Sequence, residues 1–125
     1  MNAIIFILDD QAQYIRSLER ALRDRFHVRF ASTVAEAAER FYDDVDLVLA
    51  DIRLDESNDN DRQGLEFIRL VRSRRADMPI VAMSALDAPD IEAAALSAGA
   101  TRFLRKPIVV SELRKLLTEV IGTQA

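Results

Sequence analysis

The sequence predicts a doubly wound α/β fold, with one five-stranded parallel sheet and helices on both faces. Three observations predict it. Ala3–Leu8 (AIIFIL) is a continuous apolar run, the pattern of a strand buried on both faces of a parallel sheet. Four more short runs of strand character follow it along the chain. Between consecutive runs, apolar residues recur at helical spacing with charged residues in the gaps, so strand and helix alternate strictly.

Each element has its own warrant. After the first strand, Ile15, Leu18 and Leu22 lie three and four apart and form one face of a helix. Residues 27–31 read as the second strand. Thr33 to Glu36 (TVAE) has the form of a capping box, and Ala37, Ala38 and Phe41 continue that helix. Residues 47–50 form a third strand that ends at Asp51, and Leu65, Ile68, Leu70 and Val71 mark the next helix. Residues 79–83 are the fourth strand. Asp87 and Pro89 open an Ala-rich helix that ends at Gly99, a fitting C-cap. Residues 101–104 are the fifth strand, and Leu113, Leu116, Leu117 and Val120 line a last helix that stops near Gly122. Right-handed crossovers leave few topologies for such a chain, and the flavodoxin-like strand order 2-1-3-4-5 is the expected one.

Composition bounds the function. The 125 residues suit a single domain over 1–125, large enough to remove roughly two-thirds of its unfolded surface from water. Half of the residues are hydrophobic and 30% are charged, the balance of an ordinary globular chain. A net charge of -4 without a basic run argues against direct nucleic-acid binding, which rests on clustered Lys and Arg. The absence of cysteine and the single histidine, His27, exclude disulfides, thiolate zinc sites, thiol nucleophiles and His-rich centres. The apolar start is too short for a membrane span and lacks the basic opening of a signal peptide, so no membrane partner and a cytoplasmic location are expected.

In a doubly wound sheet, ligands bind beyond the carboxyl ends of the strands. The residues that follow the strands are Asp9 and Asp10, Asp51, Ser84, and Lys106 with Pro107. Three carboxylates brought together repel one another and call for a cation among them. All-oxygen ligands suit a hard cation such as magnesium, which takes one or two carboxylates plus phosphate oxygens. Lys106 offers a point charge to a phosphoryl oxygen and Ser84 a hydrogen bond. Such a set fits phosphoryl transfer, where positioning and charge neutralisation do most of the work, and an ionised aspartate is a competent nucleophile for it.

Read together, Ile7-Leu8-Asp9-Asp10, Leu47-Val48-Leu49-Ala50-Asp51, Val81-Ala82-Met83-Ser84-Ala85, Ala98-Gly99-Ala100 and Phe103-Leu104-Arg105-Lys106-Pro107 resemble the response-regulator receiver domains of two-component signalling, over essentially the whole length. Each motif is common alone; their occurrence together, in order and at strand ends, is specific. The resemblance implies that Asp51 is the phosphoacceptor. It implies that Asp10, Asp51 and the backbone carbonyl of Arg53 bind Mg2+, with Asp9 helping through water. Ser84 and Lys106 would hold the phosphoryl group, and Ser84 and Phe103 would form the switch. Arg53 and Leu86 occupy the positions that modulate the lifetime of the phosphorylated form. A cis Lys106-Pro107 bond is also implied. The chain would then be a signalling phosphoacceptor that assists its own phosphorylation and dephosphorylation. Its partners would be a histidine kinase or phosphotransfer protein upstream and an effector domain or protein downstream.

Three departures from the family pattern stand out. Asp55 replaces the usual proline four residues after the acceptor. Gly64 lies thirteen residues after Asp51 where the family has its glycine after eight, so the acidic loop 55–63 (DESNDNDRQ) is longer by five. The last helix begins near Pro107-Ile108-Val109-Val110, which leaves its polar cap missing or shifted to Ser111.

The same residues have ordinary readings. Asp9 and Asp10 suit the N-terminus of the first helix, Ser84 a turn, Lys106 a solvated surface, and Phe103, Met78 and Met83 the core. The side chain of Arg53 has solvent as its ordinary place. Arg72, Arg74 and Arg75 read as a solvated helix end, and His27 as a strand-edge residue. Two rivals come from other classes. Residues 55–66 place oxygen side chains at the positions of an EF-hand calcium loop, although Asn60 stands where glycine is expected and no helix precedes it. An aspartate-nucleophile phosphohydrolase would use similar groups, but Asp51-Ile52-Arg53 lacks that class's second aspartate and the acidic pair comes first rather than last.

Overall fold

The computed structural model describes residues 2–121 except Glu56, Asp59 and Asp87. Five strands and five helices alternate: β1 (Ala3–Leu8), α1 (Ala12–Leu22), β2 (Phe26–Ala31), α2 (Val34–Arg40), β3 (Leu47–Asp51), α3 (Gln63–Arg74), β4 (Ile80–Ser84), α4 (Ile91–Ala98), β5 (Arg102–Arg105) and α5 (Val110–Ile121). The strands are all parallel and lie in the order β2-β1-β3-β4-β5, the flavodoxin-like order expected from the pattern. Among the described residues, no helix is long and apolar enough to cross a membrane.

Side chains alternate across a strand, so the unbroken apolar run of β1 serves two cores. Phe6 and Leu8 join a cluster with Ala37, Leu65, Phe67, Ile68, Val71, Ile91 and Ala95, which draws in α2, α3 and α4. Ile5 and Ile7 join the opposite cluster with Ile15, Leu18, Leu22, Leu113 and Leu117, which draws in α1 and α5. Phe6, Phe41 and Phe67 meet as an aromatic trio, with centroids 5.7–6.3 Å apart, an arrangement that adds edge-to-face attraction to area burial. Met78 and Met83 fill the core as expected, and His27 is exposed on β2 at the edge of the sheet.

Some boundaries shift for local reasons. The capping box holds: Thr33 Oγ1 accepts from Glu36 N–H at 3.1 Å, while the Glu36 carboxylate accepts from Ser32 N–H at 2.9 Å. Phe41 does not continue α2. It is extended, with φ -82° and ψ 92°, because its ring turns into the aromatic trio. Thr101 precedes β5 rather than opening it, and its hydroxyl accepts from Ile80 N–H at 3.1 Å. Ser111 lies inside α5, so no polar side chain stands where its cap was sought. Gly99 ends α4 with φ +124°, a conformation open to glycine and costly for other residues. Asp87 and Gly122, read as an opening and a stop, lie outside the described residues.

The arginine cluster is not simply solvated. Arg72 donates to Gly99 O at 2.6 and 3.1 Å and to Ala76 O at 2.8 Å. Arg75 donates to Asp43 O at 3.1 Å, and Arg74 to Ala38 O at 3.4 Å. Carbonyls at helix ends have no partner within the helix, and these guanidinium groups meet them across neighbouring elements.

Candidate functional site

Strand length and register bring the polar residues together. β1 and β3 run side by side with Leu8 opposite Ala50, so Asp9, Asp10 and Asp51 emerge at the same end of the sheet. One carboxylate oxygen from each lies within 4.8 Å of the others. Asp9 is 0% and Asp51 2% exposed. Lys106 follows β5 and reaches back across the strand ends. Its ammonium lies 2.7 Å from Asp9 Oδ2 and 3.0 Å from Asp51 Oδ2. The Lys106-Pro107 peptide bond is cis, as the family resemblance implied. Burial alone would depress the lysine, but the carboxylates of Asp51 and Asp9 outweigh it and hold its pKa above the ordinary value.

Asp9 serves the start of α1 and the carboxylate cluster together. Its Oδ1 accepts from Gln11 N–H at 2.9 Å at the start of α1, and its Oδ2 meets Lys106. Tyr14, four residues after Asp10, places its ring 4.5 Å from the Lys106 ammonium, within the range of a cation–π contact. Burial pushes its phenol pKa up, against the pull of Lys106. The sequence reading missed Tyr14, although its spacing of one helical turn from Asp10 was a usable signal. Tyr14, Gln11, Asp51, Arg53, Ala85, Lys106 and Pro107 line a cleft of about 230 Å3 that opens at the strand ends.

On the other side of the site, Ser84 is 0% exposed and its Oγ accepts from Leu86 N–H at 3.0 Å. Leu86 O accepts from Arg105 at 2.7 Å, and that guanidinium lies 5.7 Å from the centroid of Phe103. Ser84 pairs with Arg105, and Ala82 with Phe103, so these side chains share one face of the sheet. Phe103 is half-buried against the core cluster on that face. Phe103 thus packs on the core, and a chain of contacts through Arg105 and Leu86 joins it to Ser84. Arg105 is a second residue that the sequence reading passed over.

The long acidic loop is closed by one of its own carboxylates. Asp61 is 8% exposed. Its Oδ2 accepts from Leu54 N–H at 2.7 Å and Asp55 N–H at 2.8 Å, and its Oδ1 from Gln63 N–H at 3.3 Å. Burial pushes the carboxyl up, but hydrogen bonds from Gln63 and from the backbone N–H groups of Asp55 and Leu54 outweigh it and hold its pKa below the usual aspartate value. Just beyond, Gly64 donates to Ile52 O at 2.9 Å. A Cβ on Gly64 would fall 1.9 Å from the carbonyl oxygen of Asp51. Gly64 thus packs directly on the backbone of Asp51 despite its displaced position in the sequence.

The calcium-loop rival gains nothing from this geometry. Its Glu56 and Asp59 lie outside the described residues. Asp55 and Asn58 accept from Ser57 N–H and Asn60 N–H within the loop, and Asp61 is turned to the backbone. Among the described residues, the acidic group able to gather on one ion is Asp9, Asp10 and Asp51. This all-oxygen donor set fits a hard divalent cation.

Known proteins resemble the chain in sequence and in fold. The family model described as "Response regulator receiver domain" matches residues 5–118. The chain is 32% identical over 117 residues to response regulator protein PilR of Pseudomonas aeruginosa, covering 92% of this chain and 25% of that protein. It is 32% identical over 111 residues to transcriptional regulatory protein PrrA of Mycobacterium tuberculosis, covering 87% of this chain and 46% of that one. The chain therefore spans a quarter of one relative and under half of the other. A CheY-like response regulator receiver domain protein from Methanospirillum hungatei superposes with a TM-score of 0.85 at 22% identity, over 97% of this chain and 94% of that one, a likeness of fold.

Proposed function

The chain belongs to the response regulator receiver domain family, and from that premise we propose that it accepts a phosphoryl group on Asp51 and transmits the event by a change of its α4-β5-α5 surface. Membership makes it a signalling domain rather than the rival hydrolase. The observation that carries the phosphoacceptor reading is the convergence of Asp9, Asp10 and Asp51 within 4.8 Å on an ammonium held at 2.7 and 3.0 Å. Asp10, Asp51 and the carbonyl of Arg53 would hold Mg2+ directly. Both oxygens of Asp9 are already engaged, by Gln11 N–H and Lys106, so Asp9 acts one step removed. The ion supplies charge neutralisation to the phosphoryl oxygens when bound.

In the reaction, a carboxylate oxygen of Asp51 attacks phosphorus, and the donor's bond to phosphorus breaks as the new O–P bond forms. Lys106 moves its ammonium from the carboxylates to a phosphoryl oxygen, and Ser84 turns its hydroxyl to donate to another. Positioning and electrostatics of this kind are the main sources of rate in phosphoryl transfer. Once Ser84 turns, its hold on Leu86 N–H is lost, and Phe103 gains room to move inward. A change of partner affinity then follows from the different surfaces of the two states. The partners are a histidine kinase or phosphotransfer protein and an effector domain or protein, in the cytoplasm. Acetyl phosphate with Mg2+ should add one phosphoryl group to the wild-type chain and none to Asp51→Asn, read by intact-mass spectrometry. An equal mass gain in both would overturn the assignment.

The phosphorylated form should be long-lived. Leu86 has no polar atom with which to orient an attacking water, and Arg53 lines the cleft beside Asp51 with a cationic stem able to lie over the phosphoryl group. Arg53→Asn and Leu86→Glu should each speed decay about tenfold, a barrier change near 1.4 kcal/mol. The decay rate of the acyl phosphate checks this, and fast decay unchanged by either substitution would refute it.

A further inference from the structure

We propose that Asp61 is a positioning residue of the Asp51 site, one that lets this chain carry its long acidic loop without losing the geometry beside the acceptor; the inference rests on the reading of Asp51 given above. Three observations meet here. A single buried carboxylate takes the N–H groups of Leu54 and Asp55 at one end of the loop and of Gln63 at the other. Between them, Asn58 N–H bonds to Asp55 O and Asp61 N–H to Asn58 O, local turns that leave the tie to Asp61. The two ends that Asp61 ties are the ones that bear on the site. Leu54 follows Arg53, whose carbonyl is a proposed ligand of the ion, and Gln63 precedes Gly64, which packs on the Asp51 carbonyl.

Charge-assisted hydrogen bonds from backbone N–H groups to a buried carboxylate are among the stronger polar contacts. Removing the carboxylate would leave those groups without their partner and the stretch from Arg53 to Asp55 less firmly held. A shift of a few tenths of an ångström in the carbonyl of Arg53 is enough to spoil coordination by a small ion that demands near-octahedral geometry. The role of Asp61 is therefore indirect: it touches neither the phosphoryl group nor the ion.

The test uses the whole chain, titrated with magnesium chloride and followed by amide NMR shifts around Asp51, with the rate of phosphorylation by acetyl phosphate measured beside it. Asp61→Ala should weaken Mg2+ binding about tenfold, the usual scale for loss of a group that supports a metal ligand, and should slow phosphorylation. Asp61→Asn keeps one acceptor and should fall between. Removal of residues 57–61 deletes Asp61 together with the excursion it closes, and should bring Mg2+ binding back to within about twofold of wild type. A merely stabilising side chain would not be rescued in this way. If Asp61→Ala binds Mg2+ and is phosphorylated like wild type, or if the shortened chain is as weak as Asp61→Ala, the inference fails. A wild-type chain that takes no phosphoryl group removes the reading of Asp51 itself, whereas an active wild type with unaffected variants removes only the role of Asp61.

Discussion

Lys106→Met should slow phosphorylation of Asp51 about a hundredfold, the usual cost of removing one preorganised donor at a charged transition state, while tightening the binding of Mg2+. The two effects have opposite signs because the ammonium does two jobs. At rest it neutralises Asp9 and Asp51 from 2.7 and 3.0 Å, where it competes with a cation for the same oxygens. During transfer it meets the phosphoryl oxygens. Methionine fills the space without the charge, so the ion no longer competes with an ammonium for Asp9 and Asp51 and should bind about tenfold more strongly. Without Mg2+ the variant should be less stable by about 3–5 kcal/mol, the cost of breaking a buried ion pair from one side. Added Mg2+ should recover more stability in the variant than in wild type. Calorimetric titration and thermal unfolding with and without the ion check both halves. Equal Mg2+ affinity in the two chains would mean that Lys106 does not occupy the ion's electrostatic niche.

Gly64→Ala should be the most damaging single methyl group in the chain. A Cβ there would sit 1.9 Å from Asp51 O, 2.6 Å from Ile52 Cα and 2.8 Å from Asp51 C. All three are backbone atoms of the strand end and cannot rotate away. Either α3 must shift off the sheet or the end of β3 must move. Overpacking of this kind costs about 1–3 kcal/mol or more, a fall of roughly 10 °C in Tm for a domain of this size. Because the atoms displaced belong to Asp51 itself, phosphorylation should fall along with stability. Thermal unfolding and the acetyl phosphate rate, measured on the same sample, check it. By contrast, a Cβ on Gly99 meets Arg72 Cβ at 3.0 Å and Cγ at 3.1 Å, a milder crowding, and φ +124° adds a backbone cost of about 1 kcal/mol.

The fold was legible because its determinants are local and periodic. The apolar run of β1, buried on both faces, and the helical spacing of Ile15, Leu18 and Leu22 report their own environment without reference to distant residues. Misplaced boundaries came where a tertiary contact overrode the local pattern. Phe41 leaves α2 because an aromatic pocket lies beside it, and Arg72 leaves solvent because the carbonyl of Gly99 is within reach. Most of the site was legible for a related reason. A parallel sheet places the residues at and just beyond the carboxyl ends of its strands along one edge, so Asp9, Asp10, Asp51, Ser84 and Lys106 gather there once the strands are located.

By itself, then, the sequence determined the strand order and the strand-end cluster, since pattern and position along the chain suffice for both. The tertiary structure alone decided which acidic residue of a loop full of them closes that loop. Asp55, Asn58 and Asp61 look alike in a row of polar residues, and only the meeting of distant backbone N–H groups singles out Asp61. It likewise decided that Gly64, thirteen residues after Asp51, still rests on the Asp51 carbonyl, and that Tyr14 and Arg105 stand beside Lys106 and Phe103. Contacts between residues far apart in the chain depend on how loops close and helices pack, and no local period encodes that.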